Sequence, residues 1–230
     1  MLLLVEFSVN LAPLKMMIKD LNNTIYHDIT PEISKDIAVF PGDTPFKRSV
    51  LKDCKAGDAY TLSSIETTVH IGAHTDASNH YHKEGVGISQ HSLEYYLGPC
   101  QVIEVDIPRG ERIKPQDIKE DISAPRVLFK TNSYPVPNKW NEDFNSLSSE
   151  LVDFLAHKKV IMVGIDTPSI DPSSAKELVS HLAIFKNKMA ILEGIVLDKV
   201  LSGVYFLIAL PLKIKDADAS PVRAILLEQS

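Results

Sequence analysis

Four of the eight histidines fall between positions 70 and 82, three of them in the run His70-x-x-x-His74-x-Asp76-x-x-x-His80. Such a run limits the fold, which has to turn several ligand-type side chains into one pocket. Two histidines four apart can share a helix face, as in helical zinc sites. Here Val69 and Ile71 continue the alternating pattern of a strand read over 58–71, and Gly72 breaks it. His70 is therefore expected at a strand end, with His74 and Asp76 on the loop that follows. Neutral imidazole is a good ligand for Zn²⁺ and its neighbours. A carboxylate adds negative charge and can bridge two ions, and ions roughly 3.5–4 Å apart can activate water and polarise a carbonyl. His82 is left open, as a residue of the mouth at most.

A metal site needs a second segment. Glu193 ends the apolar run Met189-Ala190-Ile191-Leu192 and precedes Gly194. A carboxylate at the end of a buried strand is costly unless it is paired or metal-bound. His181 lies on a helix read over 173–186, where spacing alone favours a structural or exposed histidine. Asp166 follows another buried run, but Thr167 and Pro168 mark it as a turn carboxylate. His27, His91 and His157 are read as surface or hydrogen-bonded histidines.

Short apolar or alternating segments dominate the chain. Strands are expected at 25–29, 102–107, 127–130, 159–165, 189–192, 205–211 and 222–227. The segment Phe40-Pro41-Gly42-Asp43-Thr44-Pro45 reads as a shaped loop. A helix is expected over 150–157, and a second begins at Ser173 or Ser174, with Glu177 completing a capping box. Strands outnumber helices. The expected fold is therefore one α/β domain with a β-rich core and a few packed helices, covering residues 24–230. Residues 1–23 read as an N-terminal extension, with Met16 or Met17 as candidate true starts.

The 230 residues carry a net charge of −6 with no Lys/Arg cluster, which argues against a nucleic-acid partner. No apolar stretch approaches the roughly 20 residues of a membrane span. Two cysteines, Cys54 and Cys100, are too few for a disulfide framework and suit a reducing cytoplasm. Both are expected to be buried apolar residues. There is no G-x-S-x-G elbow, phosphate loop or G-x-G-x-x-G, so nucleophilic-serine and nucleotide chemistry have no support.

Several motifs in order resemble the bacterial kynurenine formamidases (arylformamidases) of the cyclase-like metal-dependent hydrolase family. They are Phe-Pro-Gly-Asp-Thr-Pro-Phe at 40–46, His-Ile-Gly-Ala-His-Thr-Asp-Ala-Ser-Asn-His at 70–80, Val-Gly-Ile-Asp-Thr-Pro-Ser-Ile-Asp-Pro at 163–172 and Ile-Leu-Glu-Gly at 191–194. The tail from Leu-Ile-Ala-Leu-Pro-Leu-Lys through Ala-Asp-Ala-Ser-Pro-Val-Arg-Ala is also similar, so the likeness spans about residues 24–228. The resemblance implies a swivelling β/β/α-type domain, usually a homodimer. It also implies two divalent ions per subunit, zinc first and manganese as the other candidate. By this resemblance His70 and His74 match ligands of one ion, His181 a ligand of the other, and Asp76 and Glu193 bridging carboxylates. His80 matches the proton donor and acceptor, and Phe40 the aromatic contact to an aryl formamide, at a position where formamidases often carry tryptophan. Ser78 replaces a proline common in the family.

The implied reaction is hydrolysis of N-formyl-L-kynurenine to L-kynurenine and formate, in tryptophan catabolism. Two other readings stay open. One is a relative acting on another small amide or lactam, as an isatin hydrolase does; the other is a metal-containing binding protein without catalysis.

Overall fold

The computed structural model describes residues 24–228, so the expected extension at 1–23 lies outside the described residues. Thirteen strands follow in chain order: Tyr26–Asp28 (β1), Lys47–Lys52 (β2), Leu62–Glu66 (β3), His74–Asp76 (β4), Leu97–Glu104 (β5), Arg112–Ile113 (β6) and Arg126–Lys130 (β7). After these come Ser146–Leu147 (β8), Met162–Ile165 (β9), Ala190–Leu192 (β10), Gly203–Ile208 (β11), Ala219–Pro221 (β12) and Ile225–Glu228 (β13). Two α-helices, Ser149–His157 (α1) and Val179–Asn187 (α2), complete the α/β chain among the described residues.

Period-two alternation builds the core. On β7, Leu128 packs to one side of the sheet while Val127 and Phe129 pack to the other. On β10, Ala190 and Leu192 share the first side and Ile191 the second. Burial on both faces is why these strands read as continuous apolar runs. The seven-stranded sheet runs β1-β13-β11-β5-β7-β9-β10. Pairing is antiparallel from β1 to β5 and parallel from β5 to β10. Parallel neighbours need crossovers, and α1 and α2 precede β9 and β10 in that role. Helix α1 lays Leu151, Val152 and Leu155 on the second side of the sheet.

Several expectations shift. The strand read over 58–71 is only β3, and His70 lies four residues beyond its end, in a bend. His74 to Asp76 form a strand rather than a loop, because β4 pairs with β12, nearly 150 residues away in sequence. The second helix starts at Val179, not at 173 or 174, and its N-cap residue Leu178 makes no side-chain cap. Asp171 caps it from a distance, accepting from the backbone N–H of Ser180 (3.1 Å) and of His181 (3.2 Å). Cys100 is buried as expected, but Cys54 is exposed in the turn between β2 and β3. No helix among the described residues is long and apolar enough to cross a membrane.

Candidate metal centre

The site lies beyond the carboxyl ends of the parallel strands, where open α/β sheets leave a crevice. Glu193 directly follows β10, and its backbone exchanges both hydrogen bonds with His74 (N–H to O, 3.0 and 2.9 Å). Two glycines allow this approach. Gly72 and Gly194 have φ of +56° and +65°, and a Cβ on Gly194 would lie 2.1 Å from the Gly72 carbonyl oxygen. A side chain at Gly194 would therefore push apart the two segments that carry His74 and Glu193.

The structure brings His70, His74, Asp76, His181 and Glu193 together, with His80 at the edge. Asp76 sits at the centre. Its Oδ1 is 3.0 Å from His70 Nδ1 and 3.6 Å from His74 Nε2, and its Oδ2 is 3.3 Å from His181 Nε2. Glu193 meets His74 Nε2 at 3.2 Å and His181 Nε2 at 3.6 Å. Both Asp76 oxygens are buried and accept no hydrogen bond, so these contacts are charge contacts without hydrogen-bond geometry. A buried carboxylate left in that state is expensive.

The tautomers are fixed from behind. His74 Nδ1 lies 2.9 Å from the Gly72 carbonyl oxygen, which can only accept, so that nitrogen carries the proton. His181 Nδ1 donates likewise to Asp171 Oδ2 at 2.7 Å. With Nδ1 committed in this way, each Nε2 is the atom that faces the carboxylates and is free to ligate once its proton gives way to a metal, the arrangement that metal-ligating histidines share. Nitrogen–oxygen separations of 3.2–3.6 Å match the edges, about 3.4 Å, of a tetrahedral shell with bonds near 2.1 Å. Among the described residues three groups of ligand atoms are close enough to hold an ion: His70/His74/Asp76 and Asp76/His181/Glu193, which share Asp76, and the more exposed His70/His80/Asp218. The residues therefore fit divalent cations.

Electrostatics agree. Burial opposes charge on His181 and His70, yet Asp171 and Asp76 outweigh it at His181, pushing it up to about 10. Asp76 and Asp218 do the same at His70, pushing it up to about 9. Burial also works against the Asp76 carboxylate, but His181 and His70 hold it well below the usual range. The cluster is a negative field that takes up positive charge, as protons or as metal, and the two compete. His80 differs: its side chain is 33% exposed, and burial lowers its pKa below the ordinary histidine value.

Two supporting residues, Asp171 and Asp218, were not singled out from the sequence. Asp171 is fully buried; besides His181 it holds Arg112 Nη1 at 2.8 Å. Its signal was an acid between Ile170 and Pro172 that closes a turn after a buried strand. Asp218 lies 3.0 Å from His70 Nε2 and 3.7 Å from His80 Nδ1, in the polar tail before β12. The site opens into a cavity of about 360 Å³ that Phe40 also lines. Asp166, read as a turn carboxylate, accepts from the N–H groups of Thr131 and Asn132, both at 2.9 Å. His82 stacks on Phe185 at 3.8 Å between centroids and does not line the cavity. His27 pairs with Glu228, and His91 bridges Ser78 N–H and the Tyr96 hydroxyl.

The Cyclase family model matches residues 27–172. The kynurenine formamidase of Bordetella pertussis is 44% identical over 207 residues, covering 87% of this chain and 97% of that enzyme. A solved structure described as a potential metal-dependent hydrolase with cyclase activity superposes with a TM-score of 0.79 at 27% identity, covering 90% of this chain and 99% of the other. Isatin hydrolase A of Ralstonia solanacearum shares the fold at a TM-score of 0.78 and 19% identity, covering 98% of this chain and 100% of that one.

Proposed function

This chain belongs to the cyclase family of metal-dependent hydrolases, and on that footing we propose that it hydrolyses N-formyl-L-kynurenine to L-kynurenine and formate. One observation carries the substrate: 44% identity to a kynurenine formamidase across 97% of that enzyme. The orphaned oxygens of Asp76 support the metal chemistry.

In this reading His70 and His74 would hold one divalent ion and His181 a second, with Asp76 and Glu193 as the carboxylates of the pair. Zinc suits this ligand set, and manganese is the other candidate. When bound, such ions supply a water acidified toward neutral pH and an electrophile for the amide carbonyl. Phe40, 40% exposed at the cavity wall, packs against the aryl ring and sets the formamide toward the cluster. His80 stands beside the cluster, with its ring centroid 4.2 Å from that of His70. Lowered by burial, it is unprotonated at neutral pH, takes up a proton and returns it to the aryl amine as the C–N bond breaks.

The same reading makes the protein a cytoplasmic homodimer. The β2–β3 hairpin supports the second copy, because a lone two-stranded hairpin is marginal in water and this one exposes Val50, Leu51, Leu62 and Ile65. A lactam such as isatin offers the same C–N bond, so a substrate panel tests the assignment. Formate release from N-formyl-L-kynurenine with isatin untouched is the expected result. Opening of isatin with N-formyl-L-kynurenine untouched would overturn it.

A further inference from the structure

Beside Phe40 the cavity has two aromatic residues that the family motifs do not assign. Trp140 lines it together with Phe40 and Tyr134. Its ring meets Phe40 edge-on at 5.1 Å and 72°, and Tyr134 and the buried Phe144 at 6.2 and 6.0 Å. Edge-to-face contacts of this kind hold a ring in place without covering both of its faces.

The loop that carries Trp140 is anchored at both ends. Asp166 fixes Thr131 and Asn132, the latter at φ +54°. At the far end Ser133 Oγ accepts from Asn145 N–H at 2.8 Å, and Asn145 Nδ2 donates to the Pro108 carbonyl. Midway, the Ala38 N–H donates to the Pro137 carbonyl at 3.0 Å, which ties the loop to the segment bearing Phe40. Trp140 and Phe40 thus sit on two segments tied to each other and form one continuous wall of the cavity.

Two further observations say what this wall reads. The indole Nε1–H is buried and has no acceptor. A formylated aniline with an acyl group beside its nitrogen carries a ketone oxygen, which would accept from it once the indole turns that edge toward the cavity. Among the described residues no lysine or arginine lines the cavity, so it offers no cation to an amino-acid carboxylate.

We propose that Trp140 is the specificity-determining residue of the pocket, which selects the formylated ortho-acyl aryl ring and leaves the amino-acid tail unread. The inference rests on the arylformamidase reading.

Trp140 is the sole tryptophan, so intrinsic emission of the metal-loaded protein reports on this wall alone. Binding of L-kynurenine should quench it, and N-formyl-L-alanine should not. In the wild type, 2-formamidoacetophenone, which lacks the tail, should have a KM within about threefold of that of N-formyl-L-kynurenine. Trp140→Leu should raise KM for both aryl substrates on the order of tenfold, with kcat changed far less. Trp140→Phe, which keeps a ring in the wall, should lie between and guards against a folding defect in the leucine variant. Formate release with KM unchanged in both variants and no quenching would overturn the inference and leave the arylformamidase reading intact. Quenching by L-kynurenine in an enzyme that releases no formate from either aryl substrate would sink that reading and leave the aryl wall standing.

Discussion

Asp171 does not line the cavity, yet it determines how His181 can serve there. Its carboxylate accepts a hydrogen bond from His181 Nδ1–H, pairs with Arg112 and caps α2. Asp171→Asn keeps the shape and removes the charge, so metal affinity should fall about 10- to 100-fold, as such supporting groups typically contribute. Competition with a metal-sensitive dye checks this, and unchanged affinity would remove Asp171 from the account. His91 acts on the other side of the site. Its Nε2 accepts the Ser78 N–H, which steadies the turn Ser78–His80, and burial lowers its pKa from 6.5. A histidine lowered in the folded state contributes stability above its unfolded value and loses it as pH falls through its folded value. The Tm gap between wild type and His91→Ala should be widest near neutral pH and narrow below about 6.5. A gap that widens with acid would contradict the hydrogen-bonding role given to His91.

At the scale of elements, the centre depends on a crossing of two chain segments, and Gly194 is its tightest point. Gly194→Ala places a Cβ 2.1 Å from a backbone oxygen at φ +65°, so it should cost roughly 2–5 kcal/mol and lower Tm accordingly. A Tm equal to wild type would mean that the segments can separate without loss. The sequence showed one half of this crossing well and the other poorly. His70, His74, Asp76 and His80 were legible because four residues of ligand type fall within eleven positions. Glu193 was legible because an acid ends a buried apolar run. His181 was legible only through the family resemblance, since one histidine on a helix has no local signature. Strand β4 was missed because three residues gain their strand character from β12 and Glu193, partners that no short window contains. The capping box at Ser174 and Glu177 misled for the same reason, since a long-range cap from Asp171 prevailed over a local one.

For the whole molecule, the topology explains why ligands so far apart in sequence converge. Parallel pairing of β7, β9 and β10 sends their carboxyl ends to one side, where Asp166 and Glu193 emerge. The antiparallel half, through the segment leading into β12, brings Asp218 and closes β4 from behind. Both halves were visible as apolar runs and alternations, whereas strand order and direction were not, because pairing is a property of the assembled sheet. The proposed function requires that this convergence hold metal needed for hydrolysis. It is tested most directly by stripping the protein with a chelator and adding back zinc while formate release from N-formyl-L-kynurenine is followed, with His80→Ala in parallel. Stripped protein should show no turnover, and recovery should level off near two equivalents, while His80→Ala binds the same metal and stays about 10²- to 10⁴-fold slower. Full turnover in protein shown to be free of metal would contradict it.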